Sequence, residues 1–90
     1  MDLKQLGYFI AIVEEGSISA AAKQLHISQP PLSAQLRRLE EELGVPLIER
    51  GPRRVTPTEA GRALYRQAKR LLLLHGSARK AIDAYRESQS

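Results

Sequence analysis

Two consecutive prolines, Pro30 and Pro31, stand where a helix should be assembling its first turn, and they restrict the fold more than any other feature. Proline has no N–H and clashes inside a helix, so it is tolerated only in the first turn, where amides have no intrahelical acceptor to lose. A helix must therefore start beside the prolines, with Ser28 as candidate N-cap. Leu32, Leu36, Leu39 and Leu43 then follow at spacings of four, three and four, a single apolar stripe that Gly44 and Pro46 bring to an end. Just upstream, Ile18, Ala21, Ala22 and Leu25 share one side of a short helix over about residues 18–25, with Ser17 to cap it behind the terminator Gly16. Alanines lack bulk beyond Cβ and let a neighbouring helix come close. Only His26-Ile27-Ser28 separates the two. A further amphipathic helix, carrying Leu3, Leu6, Phe9, Ile10 and Val13, precedes them over residues 3–15.

Ninety residues suffice for one core. With three Tyr, one Phe and no Trp, that core has to be built from Leu, Ile, Val and Ala, which suits packed helices. The absence of cysteine excludes disulfides, thiolate metal sites and thiol nucleophiles. The apolar run Leu71–Leu74 is too short to cross a bilayer and "MDLKQL" is not a secretory signal, so a cytoplasmic protein away from the membrane is expected.

Past the third helix, Leu47–Arg50 and Arg54–Thr56 are short extended candidates around Gly51-Pro52-Arg53, a small hairpin with a basic tip. Thr56-Pro57-Thr58-Glu59 is a capping-box signature with proline at the first helical position. From there the pattern stays helical to about Glu87, a rod of roughly 45 Å. Leu64, Ala68, Leu71, His75, Ala78, Ile82 and Tyr85 alternate spacings of four and three along it, which reads as a coiled-coil seam for a second copy of the chain, with His75 as its polar member.

The expected fold is therefore mainly α: a winged helix-turn-helix of three helices and a β-hairpin wing over residues 1–56, then a linker and dimerisation helix over 57–90. Charge follows the same division. Residues 1–49 carry a balance of −3 and residues 50–90 a balance of +7, a one-sided positive field that attracts a polyanion. In this plan the third helix enters the major groove by its N-terminal end, where free amides favour phosphate. Gln29 and Gln35 can each donate to and accept from base edges, the prolines can meet a thymine methyl, and Ser33 can reach a base or a phosphate. Of Arg37 and Arg38, one suits phosphate and the other an ion pair with Glu41 or Glu42. Arg53 and Arg54 suit a narrow minor groove or its flanking phosphates.

The segment FIAIVEEGSISAAAKQLHISQPPLSAQLRRLEEELGVPLIERGPRRVTPTEAG resembles the N-terminal DNA-binding domain of LysR-type transcriptional regulators. The likeness rests on Ala21-Ala22, Leu25, Ser28-Gln29-Pro30, Ser33, the leucine-rich third helix, LEEELG, LIER and TEAG. It implies a bacterial, nucleoid-associated regulator that binds double-stranded operator DNA as a homodimer or tetramer through a paired linker helix, on a palindrome of the T-N11-A type. Carried over by position, the family's major-groove residues fall on Gln29, Pro30, Pro31 and Ser33, with wing contacts on Arg53 and Arg54; together with Ser28, Ala34, Gln35, Arg37, Arg38 and Arg50 they make up the expected DNA-binding set. Ala34 departs from the family, which often has arginine there. A small-molecule effector would act only through a second, larger domain that the family usually carries.

The alternative is a protein-interaction module in which the long helix does the binding and the winged part is a scaffold. The basic hairpin argues against it. An enzyme has almost no support: His26 reads as a turn residue, His75 as a seam position, and Glu40, Glu41 and Glu42 fan around a helix rather than form a carboxylate pair. No cofactor is implied.

Overall fold

The computed structural model describes residues 1–89. In chain order the elements are α1 (Leu3–Glu15), α2 (Ile18–Leu25), α3 (Gln29–Leu43), β1 (Ile48–Arg50), β2 (Val55–Pro57) and α4 (Glu59–Gln89). β1 and β2 form an antiparallel hairpin in which Ile48 faces Pro57, Glu49 faces Thr56 and Arg50 faces Val55.

α1 is the central rod. Asp2 opens it with a reciprocal capping box, in which the Gln5 amide donates to Asp2 Oδ1 at 2.7 Å and Gln5 Oε1 accepts from the Asp2 amide at 3.3 Å. One side of the rod places Phe9 and Ile12 in a core with Ile18, Ala21, Ala22, Leu32, Leu36, Leu39, Leu47 and Val55. The other side places Leu6 and Ile10 against Ala68 of α4, flanked by Leu3, Leu64, Tyr65 and Leu72. The alanines of α2 do what their size allows: Ala21 and Ala22 are buried where α2 meets its neighbours. His26 is the one non-glycine residue with positive φ among the described residues, at 59°, and it caps α2 from the left-handed region. The Ile27 amide then returns to the Ala22 carbonyl at 3.0 Å, which fixes the tight turn before α3.

The structure moves one boundary and shortens one buried stripe. Thr56 lies in the hairpin opposite Glu49, and Pro57 closes β2, so neither starts the long helix. Thr58 caps it instead: its Oγ1 accepts from the Gly61 amide at 3.0 Å and donates to the Pro46 carbonyl at 2.8 Å. Leu43 is 38% exposed, outside the stripe of Leu32, Leu36 and Leu39, because α3 has by then run past its partners.

α4 leaves the core at a fixed angle for two reasons. Gly61 lies so close to the wing base that a Cβ there would stand 2.0 Å from the Leu47 carbonyl oxygen. One turn further, Tyr65 Oη donates to Glu14 Oε2 at 2.5 Å and Lys69 Nζ approaches the same oxygen at 3.1 Å, clamping α4 to the end of α1. The Tyr65 hydrogen bond, and then Lys69, hold the Glu14 carboxyl below its ordinary value of 4.5, while donating to Glu14 raises Tyr65.

Gly61→Ala is expected to destabilise the fold by roughly 1–3 kcal/mol, because the opposing atom is backbone and cannot rotate away. Gly76→Ala, with open space around it in the same helix, should instead stabilise by about 0.5–1 kcal/mol, and urea denaturation of the two variants checks the contrast. A carboxyl with a lowered folded value stabilises above the ordinary value and loses that contribution as pH falls through the folded one. The denaturation midpoint should therefore drop as pH is lowered through and below the ordinary carboxyl value of 4.5, and Tyr65→Phe should shrink that drop.

Candidate nucleic-acid interface

α3 buries Leu32, Leu36 and Leu39 and leaves Ser28, Gln29, Pro30 and Pro31 exposed at its N-terminal tip. Ser28 occupies the N-cap position but makes no side-chain capping bond. The cause is the proline pair. A cap oxygen accepts from the second or third helical amide, and here those positions are Pro30 and Pro31, which have no N–H. The same pair removes half of the four free amides expected to meet phosphate at this end, leaving those of Ser28 and Gln29. What the tip presents is therefore mainly side chains: the Ser28 hydroxyl, the Gln29 amide, and two rigid apolar rings.

Farther along α3 the expected residues separate. Ser33 and Ala34 are half-buried. Gln35 turns toward α1, where its Oε1 accepts from Gln5 Nε2 at 3.0 Å, and this takes it out of the exposed tip. Arg37 and Arg38 are both exposed, and among the described residues neither is in an ion pair. The expected pairing with Glu41 or Glu42 does not form among the described residues; Glu42 holds the N-terminal ammonium at 2.6 Å instead. Glu40 is likewise engaged, accepting from the Leu47 amide at 2.7 Å.

The wing presents Arg50, Arg53 and Arg54, all exposed and none in an ion pair among the described residues. The hairpin closes with the Gly51 amide donating to the Arg54 carbonyl at 2.9 Å, and the Val55 amide ties it to the Gly16 carbonyl at 2.9 Å. That second bond draws the wing toward the start of α2. As a result Gln29 of α3 and the three wing arginines line one common cleft. Ser17 and Ser19 line it too, two residues that sequence reasoning passed over because serine at a helix start reads first as a cap.

The seam along α4 begins later than its periodicity suggests. Ala68 is fully buried against α1, and Leu64 is half-buried in the same contact, so both serve the chain's own core. Leu71, Leu74, Ile82 and Tyr85 are exposed by 42–69% and, with Ala78, form a stripe turned away from the domain. His75 is exposed beside it. No helix among the described residues is long and apolar enough to cross a membrane.

Residues 3–62 match the family described as bacterial regulatory helix-turn-helix protein, lysR family. Among curated relatives, the chain is 50% identical over 76 residues to the HTH-type transcriptional regulator TcbR of Pseudomonas sp. (strain P51), covering 84% of this chain and 26% of that protein. It is 54% identical over 72 residues to the regulator ClcR of Pseudomonas putida, covering 80% of this chain and 24% of that protein. The chain thus spans about a quarter of these relatives' length. Among solved structures it is similar to the CbnR_DBD–DNA complex, with TM-score 0.89 and 46% identity over 94% of this chain and 98% of that one. It is equally similar to the BenM_DBD/catB site 1 DNA complex, with TM-score 0.90 and 45% identity over 93% of each chain. With the proline-fronted helix, the basic wing and the long final helix all in place, the chain belongs to the lysR family of bacterial regulatory helix-turn-helix proteins and corresponds to the family's DNA-binding domain.

Proposed function

We propose that this chain binds double-stranded operator DNA sequence-specifically as a homodimer, each copy presenting its α3 tip to the major groove of one half of a palindrome. The observation that carries this reading is the union of Gln29 and three unpaired wing arginines on one exposed surface. Gln29 can bond adenine's N6 and N7, Pro30 and Pro31 offer rigid apolar contact to a thymine methyl, and Ser28 and Ser33 supply hydroxyls. Arg37, Arg38, Arg50, Arg53 and Arg54 supply the phosphate attraction that any duplex feels. The CbnR and BenM domain structures named above are both DNA complexes, which supports the same use here.

Pairing along α4 sets the distance between tips. The 31-residue helix spans roughly 46 Å, and its exposed stripe starts at Leu71. Tails laid antiparallel place the two winged heads at opposite ends of the pair, which suits half-sites about 34–36 Å apart or slightly more. Parallel tails would crowd both heads together. An operator of the T-N11-A type fits the antiparallel spacing, and a cytoplasmic, nucleoid-associated location follows from such a partner.

Selection of bound duplexes from a random pool should return a palindrome. Gln29→Ala should then lower the preference for that palindrome over scrambled duplex by about tenfold, one bidentate base contact, in a mobility-shift assay. Ile82→Asp should shift sedimentation from dimer to monomer and weaken binding to the palindrome while sparing single half-sites, since it places a charge in the stripe. If no duplex is bound even at low salt, the long helix serves a protein partner instead.

A further inference from the structure

The wing and the first turn of α2 face each other across an open cleft of about 260 Å³. Ser17 and Ser19 stand on the α2 side, Arg50, Arg53 and Arg54 on the wing side, and Gln29 of α3 also reaches it. Arg54 does not extend from the hairpin tip. Its guanidinium is folded back onto the junction of α1 and α2, with Nη2, Nε and Cζ lying 3.4, 3.8 and 3.9 Å from where a Cβ on Gly16 would stand. Gly16 itself is held at a left-handed φ of 69°, the conformation that glycine adopts without strain. Among the described residues the three guanidinium groups have no ion-pair partner, and like charges gathered in one cleft repel unless an anion joins them.

The serines add a matching donor. Ser17 Oγ accepts from the Ala20 amide at 3.2 Å, and the two serine hydroxyls lie 3.1 Å apart. Whichever hydroxyl donates to the other, one hydroxyl hydrogen is left for an outside acceptor. A cationic fork and a hydroxyl hydrogen in one cleft suit a tetrahedral oxyanion with two exposed oxygens, which describes a phosphodiester.

We propose that this cleft seats one backbone phosphate of the bound duplex, held by Arg54 with Arg50 beside it and by the Ser17–Ser19 hydroxyl pair. The proposal rests on the DNA-binding reading and gives Arg54 to phosphate rather than to a base. The seat also explains how the tip is placed. Because Gln29 reaches the same cleft, a phosphate fixed there sets how far Gln29 and the prolines enter the groove. α3 is less equipped to do this for itself, since its prolines leave only the Ser28 and Gln29 amides free to meet a phosphate.

The test uses a duplex recovered from a random pool by the wild-type chain, rebuilt with one phosphate at a time replaced by a neutral methylphosphonate. For the wild type, one phosphate in each half-site should cost about tenfold in affinity when neutralised. Arg54→Gln should already bind about tenfold weaker, and the same replacement should cost it less than about twofold, while other phosphates cost both proteins alike. Ser19→Ala should shrink the penalty at that same phosphate. The seat is overturned if Arg54→Gln responds to every replacement as the wild type does, or if Ser19 couples to a different phosphate. It is also overturned if Arg54→Gln loses its preference for the selected over a scrambled duplex, which would make Arg54 a reader of bases. Inorganic phosphate against chloride at matched ionic strength separates the diester from a free anion. Phosphate-specific displacement of the duplex that Arg54→Gln abolishes would give the cleft to the free anion. A wild-type chain that binds no duplex at all would overturn the DNA reading and the seat together.

Discussion

Burial on both sides of α1 is the constraint on which everything else depends. Phe9 and Ile12 pack toward α2, α3 and the wing, while Leu6 and Ile10 pack toward α4. Each such side chain contributes on the order of 1.5–3 kcal/mol when removed from water. α3 and α4 are therefore referenced to one rod, and a change in the angle of either has to disturb a shared core. Close contacts tighten the arrangement, since Gly61 admits the Leu47 carbonyl and Thr58 bonds back to Pro46. The clamp from Tyr65 and Lys69 to Glu14 adds a polar tie at the edge of the same interface.

Helix ends in this molecule are handled in two ways. α1, α2 and α4 each begin with a side-chain oxygen that accepts a first-turn amide, from Asp2, Ser17 and Thr58 respectively. α3 alone begins without one, and it is the end that faces outward at the candidate interface. Its two prolines remove the amides a cap would satisfy, so the missing cap leaves no donor stranded at those positions. The exchange gives rigidity in place of anion affinity. Cationic chemistry is then supplied by the neighbouring wing, held close by the bond from Val55 to Gly16.

Most of the helical plan was legible in the sequence, because terminators and caps act locally. Gly16, His26-Ile27-Ser28 and Gly44 bound their helices where the residue types suggest. The Thr56-Pro57-Thr58-Glu59 stretch misled, since two threonines each precede a helix-compatible residue and only the strand ladder, a nonlocal fact, decides between them. The same limit applies to side-chain direction. Nothing local shows that Gln35 points at Gln5, thirty positions away, or that Tyr65 meets Glu14 across fifty-one. Asp2-x-x-Gln5, by contrast, carries a capping-box pattern that is local and visible in the sequence. Along α4, Ala68 and Leu71 both belong to apolar periodicities, and periodicity cannot say which stripe faces the chain's own α1.

That ambiguity has a physical meaning. Two apolar stripes on one helix, offset around its axis, let the same element serve a core first and a partner afterwards. Gly61, Leu64, Tyr65, Ala68 and Leu72 face inward, and past Leu72 the helix has no domain left to cover it. A lone helical extension of this length, with Leu74, Ile82 and Tyr85 in water, is weakly supported by its own hydrogen bonds. Pairing with a second copy would bury that stripe and stiffen the extension in one step. Because the extension is continuous with the turns locked onto α1, stiffening it in such a pair would also fix the separation of two α3 tips. Spacing between half-sites would then be set by helix length and the position of Leu71, and not by any residue that touches DNA.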